Sequence, residues 1–172
     1  ERLAAAGAGY GLGRYDEDRV LYRHSPLFDG QLERRSLHLG VDLFAPADTA
    51  VHAPLAGIVH SLADNAAVGD YGPTVILEHE LEGRPFWTLY GHLGRGVLDG
   101  LREGVSVASG EPFAALGDRT ENGDWPPHLH LQLIADLGDH RGDFPGVAAP
   151  SERARWLERC PDPTVLLRQP PR

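Results

Sequence analysis

The segment HLHLQLI at residues 128–134 constrains the fold of this chain more than any other. Polar and apolar residues alternate along it, which predicts a β-strand because successive strand side chains point to opposite faces. His128, His130 and Gln132 then share one face, and the leucines pack a core on the other. From a rise of roughly 3.3 Å per residue, the two imidazoles lie about 7 Å apart at Cα and can converge on one ion.

Other parts of the chain also predict short strands, each closed by a turn signal. The predicted strands are 37–44, 50–53, 57–62, 74–80, 85–92, 105–107, 112–116 and 128–134. The runs 74–80 and 85–92 are expected to pair as a hairpin. Residues 151–159 predict a helix with Ser151 as its N-cap and Pro161 as its stop. The 21 glycines and 14 prolines favour an all-β fold, because both residue types break helices.

The 172 residues are expected to form a single domain in three parts. These are an irregular N-terminal arm (1–35) with one short strand, a β core (36–135) and a C-terminal loop, helix and tail (136–172). The chain starts at Glu1 and contains no methionine, so we expect a processed form or an excised domain. Cys160 is the single cysteine, which excludes an internal disulfide, and is expected to pack at the helix end.

The net charge of −9 bears on the partners of the protein. An acidic surface repels the phosphates of nucleic acids and anionic lipid headgroups. No apolar run is long enough to span a bilayer. We therefore expect neither a nucleic acid nor a membrane as a partner.

The segment HLGVD at 38–42 complements the histidine strand. On a predicted strand His38, Gly40 and Asp42 share one face, and Gly40 leaves room for a bulky group between the other two. His38 and Asp42 can then chelate one ion. Two imidazoles and one carboxylate around Zn²⁺ leave one tetrahedral position open, which is typical of catalytic zinc, whereas structural zinc sites are usually Cys-rich. Such zinc lowers the pKa of bound water to roughly 7.

Two further residues are candidates for the site. His92 ends an aromatic strand and can reach the metal from a neighbouring strand, for proton transfer or for stabilisation of an oxyanion. Trp125 precedes two prolines beside the histidine pair and is a candidate wall of a substrate groove. The remaining histidines are expected to be structural or exposed: His24, His52, His60, His79 and His140.

The order H-x-x-x-D, then Tyr-x-His-Leu, then His-x-His resembles the lysostaphin-type (LytM-like) zinc metallopeptidases. The segments HLGVDLFAPADTAVHAPLAGIVHS, TVILEHE and PPHLHLQL carry the resemblance, over roughly residues 36–135. It implies a twisted antiparallel sheet of the duplicated hybrid motif type, with a groove over it. It also implies a metalloendopeptidase that cleaves peptide bonds of bacterial cell-wall cross-links, often beside glycine.

The resemblance assigns a role to each matching residue. His38, Asp42 and His130 would be the zinc ligands, and His128 would act on the water. His92 would be the second catalytic histidine. The chain departs from the family at Pro126-Pro127, where Gly-Pro is usual, and in the loop 117–125. These departures and the acidic surface bear on the substrate more than on the metal.

A second resemblance concerns the ending CPDPTVLL and the SERARWLE segment before it. Together they resemble metallopeptidase-type segments fused between a small-molecule kinase-like domain and a class III aminotransferase. This implies a covalent fusion to such domains and a cytoplasmic location, whereas a wall hydrolase would act at the cell envelope.

Two other functions stay open. The first is a non-catalytic regulatory or binding module on the same fold, although such members typically lose metal ligands and this chain keeps three. The second is a phosphocarrier similar to the glucose-permease IIA component, which uses a histidine pair but needs no equivalent of Asp42.

Overall fold

The computed structural model describes residues 7–20 and 33–167. The strands within these ranges are β1 (Gly11–Gly13), β2 (Leu37–His38), β3 (Val41–Phe44), β4 (Ala50–His52), β5 (Gly57–Asn65), β6 (Gly72–Leu81), β7 (Arg84–Gly91), β8 (Ser106–Val107), β9 (Pro112–Ala115), β10 (His128–Ile134) and β11 (Val147–Ala148). The helices are α1 (Gly96–Gly100) and α2 (Arg153–Arg159), and short 3₁₀ helices cover Pro150–Glu152 and Pro163–Leu166. The prediction of an all-β antiparallel fold with a short C-terminal helix is confirmed.

A seven-stranded antiparallel sheet in the order β1-β3-β10-β7-β6-β5-β8 forms the body of the protein. Two small sheets accompany it, β2 with β11 and β4 with β9. β6 and β7 form the predicted hairpin, and its two turn residues, Glu82 and Gly83, both have positive φ, as a tight hairpin turn requires. β10 lies between β3 and β7, so its histidines face residues from both neighbouring strands.

Apolar side chains cover both faces of the central strands, because neighbouring residues of a strand alternate between faces. Val75 and Leu77 of β6 belong to one buried cluster, and Ile76 belongs to the other. On β10 Leu129 and Leu131 are buried in the first cluster, as predicted, whereas Leu133 is only half-buried. Ile134 of β10 belongs to the second cluster, together with Leu89, Leu137, Phe144 and Cys160. His128, His130 and Gln132 therefore lie on the same face of β10 as Ile134, next to the second cluster.

The prediction of one strand over residues 37–44 is wrong, because the chain bends at Gly40. β2 pairs with β11, whereas β3 pairs with β1 and β10. A Cβ at position 40 would stand 2.7 Å from the ring of His130 and from the carbonyl oxygen of Leu131. The close approach of these groups requires glycine at position 40. Leu39, just before it, donates its N–H to the carbonyl of Gly146, next to β11, and not to the seven-stranded sheet.

The C-terminal helix differs from its prediction at its start. Ser151 is not the N-cap: it lies in the 3₁₀ turn that begins at Pro150, and Glu152 occupies the N-cap of α2 without a side-chain cap bond. Cys160 is fully buried at the C-terminal end of α2, as predicted. Helix α1 falls in a stretch for which no helix is predicted. Among the described residues, no helix has the length and apolar character needed to cross a bilayer.

Candidate metal centre and active site

Three buried side chains from β2, β3 and β10 converge on one point: His38, Asp42 and His130. His38 Nε2 lies 3.0 Å from His130 Nδ1, and each of these nitrogens lies 3.2 Å from Asp42 Oδ1. The register of β3 and β10 pairs Asp42 directly with His130. The bend at Gly40, which makes room for the His130 ring, lets His38 reach the same point although it belongs to a different small sheet.

Hydrogen bonds on the outer side of each ring fix its tautomer. His38 Nδ1 donates to the carbonyl oxygen of Arg14 at 2.9 Å, because a carbonyl can only accept. His130 Nε2 donates to Gln132 Oε1 at 3.0 Å, and the amide nitrogen of Gln132 in turn donates to the Pro145 carbonyl at 3.1 Å. In the neutral rings, His38 Nε2 and His130 Nδ1 therefore carry no proton and point their lone pairs inward.

The inward-facing set fits a tetrahedral cation. Two bare nitrogens and a carboxylate oxygen within about 3 Å repel one another unless a positive charge lies between them. A tetrahedral ion with bonds of 2.0–2.1 Å holds its ligand atoms about 3.3 Å apart, close to the separations here. The set also leaves one tetrahedral position free for a water or a substrate atom.

Asp42 is held as an anion with a separate partner for each oxygen. Burial opposes its ionisation, but without a metal the positive charge of a protonated His38 and N–H donation from the rings of His38 and His130 hold its pKa well below the usual value. Its Oδ1 faces these imidazoles, and its Oδ2 lies 2.5 Å from Nη1 of Arg19. Arg19 also binds Glu17 through Nε at 3.0 Å.

His128 and His92 lie next to the three converging residues. His128 donates Nδ1–H to the Pro126 carbonyl at 2.7 Å, and its Nε2 lies 3.8 Å from Asp42 Oδ1. His92 has a left-handed backbone (φ 63°) and donates Nδ1–H to the Asn122 carbonyl at 2.9 Å. The two ring centroids are 4.2 Å apart.

The pKa values of these two histidines are depressed. Burial lowers the pKa of His128, although the carboxylate of Asp42 acts in the opposite direction. Burial, followed by the neighbouring rings of His128 and His130, holds the pKa of His92 well below its usual value. Both rings are therefore neutral at pH 7, with Nε2 able to accept a proton.

A cavity of about 350 Å³ opens over this site. Its lining includes four aromatic side chains: Phe44, Tyr71, Trp125 and Phe144. Trp125, the predicted groove wall, lies 6.2 Å from His92 and 6.5 Å from His128 between ring centroids. Tyr71 packs so closely against Gly146 that a Cβ on this glycine would stand 1.8 Å from the tyrosine hydroxyl oxygen.

The structure brings all five predicted histidine and aspartate residues together and puts Trp125 at the cavity wall; their roles stay predictions. Among the described residues, the side chains of Arg19, Tyr71 and Gln132 contact the site without having been predicted to act there. Alternation along β10 predicted that Gln132 shares the face of His130, but not that it binds the His130 ring. Nothing in the sequence distinguishes Arg19 from the other arginines or Tyr71 from the other tyrosines.

The other histidines take different positions. His79 is structural, as predicted: it is buried and hydrogen-bonds to the Ala56 carbonyl and the Thr88 hydroxyl. His52 is exposed. His140 lines the cavity and contacts Phe144, and His24 lies outside the described residues.

A model of peptidase family M23 matches residues 36–141. The catalytic domain of the antimicrobial peptidase lysostaphin from Staphylococcus simulans is similar with a TM-score of 0.53 and 19% identity, over 85% of this chain and 92% of that one. The catalytic domain of a prophage-encoded M23 protein, EnpA, from Enterococcus faecalis (a point mutant) gives 0.50 and 20%, over 81% and 86%.

A chain from the crystal structure of the SpoIIIAH and SpoIIQ complex gives a TM-score of 0.51 and 18% identity, over 84% of this chain and 92% of that one. At these identities the three likenesses concern the fold alone. No curated protein sequence matches the chain.

Proposed function

The chain belongs to peptidase family M23, and on that premise we propose that it is a zinc-dependent metallopeptidase that hydrolyses peptide amide bonds. One observation carries the proposal: His38 Nε2, His130 Nδ1 and Asp42 Oδ1 face one another at 3.0–3.2 Å with their lone pairs inward. Two neutral imidazoles and one carboxylate would leave a bound Zn²⁺ with a net charge of about +1 and one open position, as in catalytic zinc sites.

Zinc held by His38, Asp42 and His130 would supply Lewis acidity and a water whose pKa is lowered to about 7. The protein residues supply the proton transfers and the orientation. His128 is the proposed proton acceptor, because its neutral ring is held by the Pro126 carbonyl with Nε2 directed to the ligand set. His92, beside it, would bind the oxyanion once protonated, or orient the water.

The proposed substrate is a peptide that lies in the cavity between the aromatic walls. Phe44 stacks on His128, Trp125 meets the histidine pair edge-on, and Tyr71 packs against His92 and His130. Phe144 also lines the cavity. The aromatic rings give the cavity apolar walls that can pack against a peptide, and a glycine-containing amide is the bond that the resemblance implies. A cross-link of the bacterial cell wall is the specific substrate that the lysostaphin-type resemblance implies.

Metal content and peptide cleavage test this proposal together. We expect one zinc per chain, loss of that zinc in His38→Ala and Asp42→Ala, and retention of zinc without turnover in His128→Ala. His52→Ala is the matched control, because this exposed histidine lies on β4, binds the Gly110 carbonyl and is not one of the converging residues, and it should keep both metal and activity. A purified chain with intact ligands that takes up no zinc would contradict the proposal.

The same experiments separate the alternatives. Bound zinc without cleavage of any peptide, including glycine-containing cross-link peptides, would favour a non-catalytic binding module. A mass increase of one phosphoryl group after incubation with a phosphoryl donor would favour the phosphocarrier, whose chemistry does not need Asp42. The fusion to kinase-like and aminotransferase domains stays a prediction from the CPDPTVLL ending.

A further inference from the structure

Part of the N-terminal arm contacts the candidate metal centre, although it lies outside the region that the family model matches. Main-chain hydrogen bonds hold it along β2: Asp16 N–H donates to His38 at 2.9 Å, His38 N–H to Glu17 at 3.0 Å, and Arg19 N–H to Ser36 at 2.8 Å. The position of the arm therefore does not depend on any one side chain.

The guanidinium group of Arg19 lies against the outer oxygen of Asp42. Nη1 is 2.5 Å from Asp42 Oδ2, and Nε is 3.0 Å from Glu17 Oε2. The side chain of Arg19 is 15% exposed and that of Asp42 4% exposed, so solvent screens this pair little. A planar guanidinium held between two carboxylates has a fixed orientation, which a flexible ammonium group would not have.

Gly13 makes this arrangement possible. It is the register partner of Asp42 in the pairing of β1 with β3. A Cβ at position 13 would stand 2.7 Å from Nη2 of Arg19 and 3.1 Å from both Cβ and Oδ2 of Asp42. The backbone of β1 thus leaves a space that the guanidinium group fills.

We propose that Arg19 is a positioning residue of the metal site: by binding Asp42 Oδ2 it leaves only Oδ1 for the metal and keeps the fourth ligand position open. The inference rests on the proposed function. Without Arg19 the carboxylate can rotate and offer both oxygens, which would occupy the position needed for water. With Arg19 in this role, the arm and the region that the family model matches form one functional unit.

Metal binding to the metal-free full chain tests the role of Arg19 without any activity measurement. Arg19→Met keeps the length and apolar stem but removes the donors. We expect zinc affinity, measured by competition with a chromophoric chelator, to fall about 10- to 100-fold, the usual effect of losing a partner of a metal ligand. We also expect the visible absorption of the cobalt(II) form to weaken, because five-coordinate cobalt absorbs less than tetrahedral cobalt.

Three further variants separate Arg19 from general docking of the arm. Arg153→Gln removes the ion pair between Arg153 and Asp16, which ties the same arm to α2 and does not involve Asp42, and should leave both readouts unchanged. Gly13→Ala should change both readouts in the same direction as Arg19→Met, to a smaller extent. Arg19→Lys should bind zinc with an affinity between those of Arg19→Met and the unsubstituted protein.

The outcomes distinguish this inference from the proposed function. If the unsubstituted protein binds neither zinc nor cobalt, the proposed function fails. If it binds both, but Arg19→Met has the same affinity and the same cobalt spectrum, the positioning role is wrong. An equal change in Arg153→Gln would also overturn it, because loss of arm docking would then explain the effect.

Discussion

The two sides of the candidate metal centre are held in place by different means. On the core side, His130 is oriented by Gln132, whose amide is fixed by the Pro145 carbonyl and the Cys160 sulfur. On the arm side, His38 is oriented by a main-chain carbonyl, and Asp42 by Arg19. The core side thus depends on buried side chains, and the arm side on main-chain contacts and one ion pair from a distant part of the sequence.

This difference matters for stability and for the site. A buried amide that loses its hydrogen-bond partners lowers the stability of the folded state, because no water can replace those partners. Within the arm, the described residues form a three-residue edge strand, β1, and neighbouring main-chain bonds. Detachment of the arm therefore disrupts less of the structure than loss of a buried amide bond does. Changes on the core side should therefore lower both stability and metal affinity, whereas changes on the arm side should affect mainly the metal.

The largest effect is expected for Gln132→Leu. It leaves the buried His130 N–H and the Pro145 carbonyl without partners, which should lower the free energy of unfolding by roughly 1–3 kcal/mol. It should also weaken zinc binding about 10- to 100-fold. Urea unfolding of the metal-free protein and chelator competition measure the two effects.

Gln132→Glu is the matched variant for this test. It keeps an acceptor for His130 but cannot donate to Pro145, so it should lose stability and retain most of its zinc affinity. If Gln132→Leu unfolds at the same urea concentration as the unsubstituted protein, Gln132 does not stabilise the core side.

The core side was also the more predictable one. The alternation of HLHLQLI is local, so the strand, its histidine face and the leucines at 129 and 131 follow from the sequence alone. The hairpin of β6 and β7 is equally local and was predicted. These features depend on residue periodicity, which tertiary contacts do not alter here.

On the arm side, His38 and Asp42 were predicted, but the contact of Arg19 with Asp42 was not, because it joins residues that no local pattern relates. Arg19 and Asp42 are 23 residues apart. The bend at Gly40 depends on the approach of the His130 ring, which no local pattern encodes. The helix start at Pro150 likewise departs from the prediction, because the proline initiates a 3₁₀ turn before the α-helix.

Acid should act on the buried histidines before it acts on Asp42. Burial lowers the pKa of His79, His92, His128 and His130 in the folded state. The unfolded chain, with histidine pKa values of about 6.5, therefore binds more protons, and stability falls as the pH drops below that value. Asp42 has the same sign in a lower pH range: because its pKa is depressed in the folded state, its stabilising contribution is lost only as the pH falls below the usual carboxylate value.

Urea unfolding of the metal-free protein at pH values from 7 to 5 measures this effect. We expect a loss of at least about 2 kcal/mol, since each additional proton bound by the unfolded state contributes about 1.4 kcal/mol per pH unit over the roughly 1.5 units below pH 6.5. His79→Gln should reduce the slope, because one of the imidazoles with a depressed pKa is then absent. A flat profile would mean that these imidazoles titrate alike in both states.

Metal removal should loosen the arm more than β10. The arm reaches the centre through His38 and Asp42, so loss of the cation leaves their lone pairs opposed and the contacts of the arm weakened. Hydrogen exchange followed by mass spectrometry should show amides of residues 16–19 exchanging about tenfold faster without zinc, equivalent to about 1.4 kcal/mol. Amides of 129–133, inside the sheet, should change less; equal acceleration in both segments would remove the distinction between the two sides.

The smallest effect is expected for Arg14→Ala, which isolates the main-chain character of the arm side. Only the carbonyl oxygen of Arg14 contacts His38, and its side chain is 78% exposed in a pair with Glu17. Exposed ion pairs contribute about 0–1 kcal/mol, so stability should change by less than about 0.5 kcal/mol. Zinc affinity and the cobalt spectrum should be unchanged, because the alanine variant keeps the carbonyl that fixes the His38 tautomer. A shift comparable to that of Arg19→Met would show that the arm acts through its charge and not through the two contacts described.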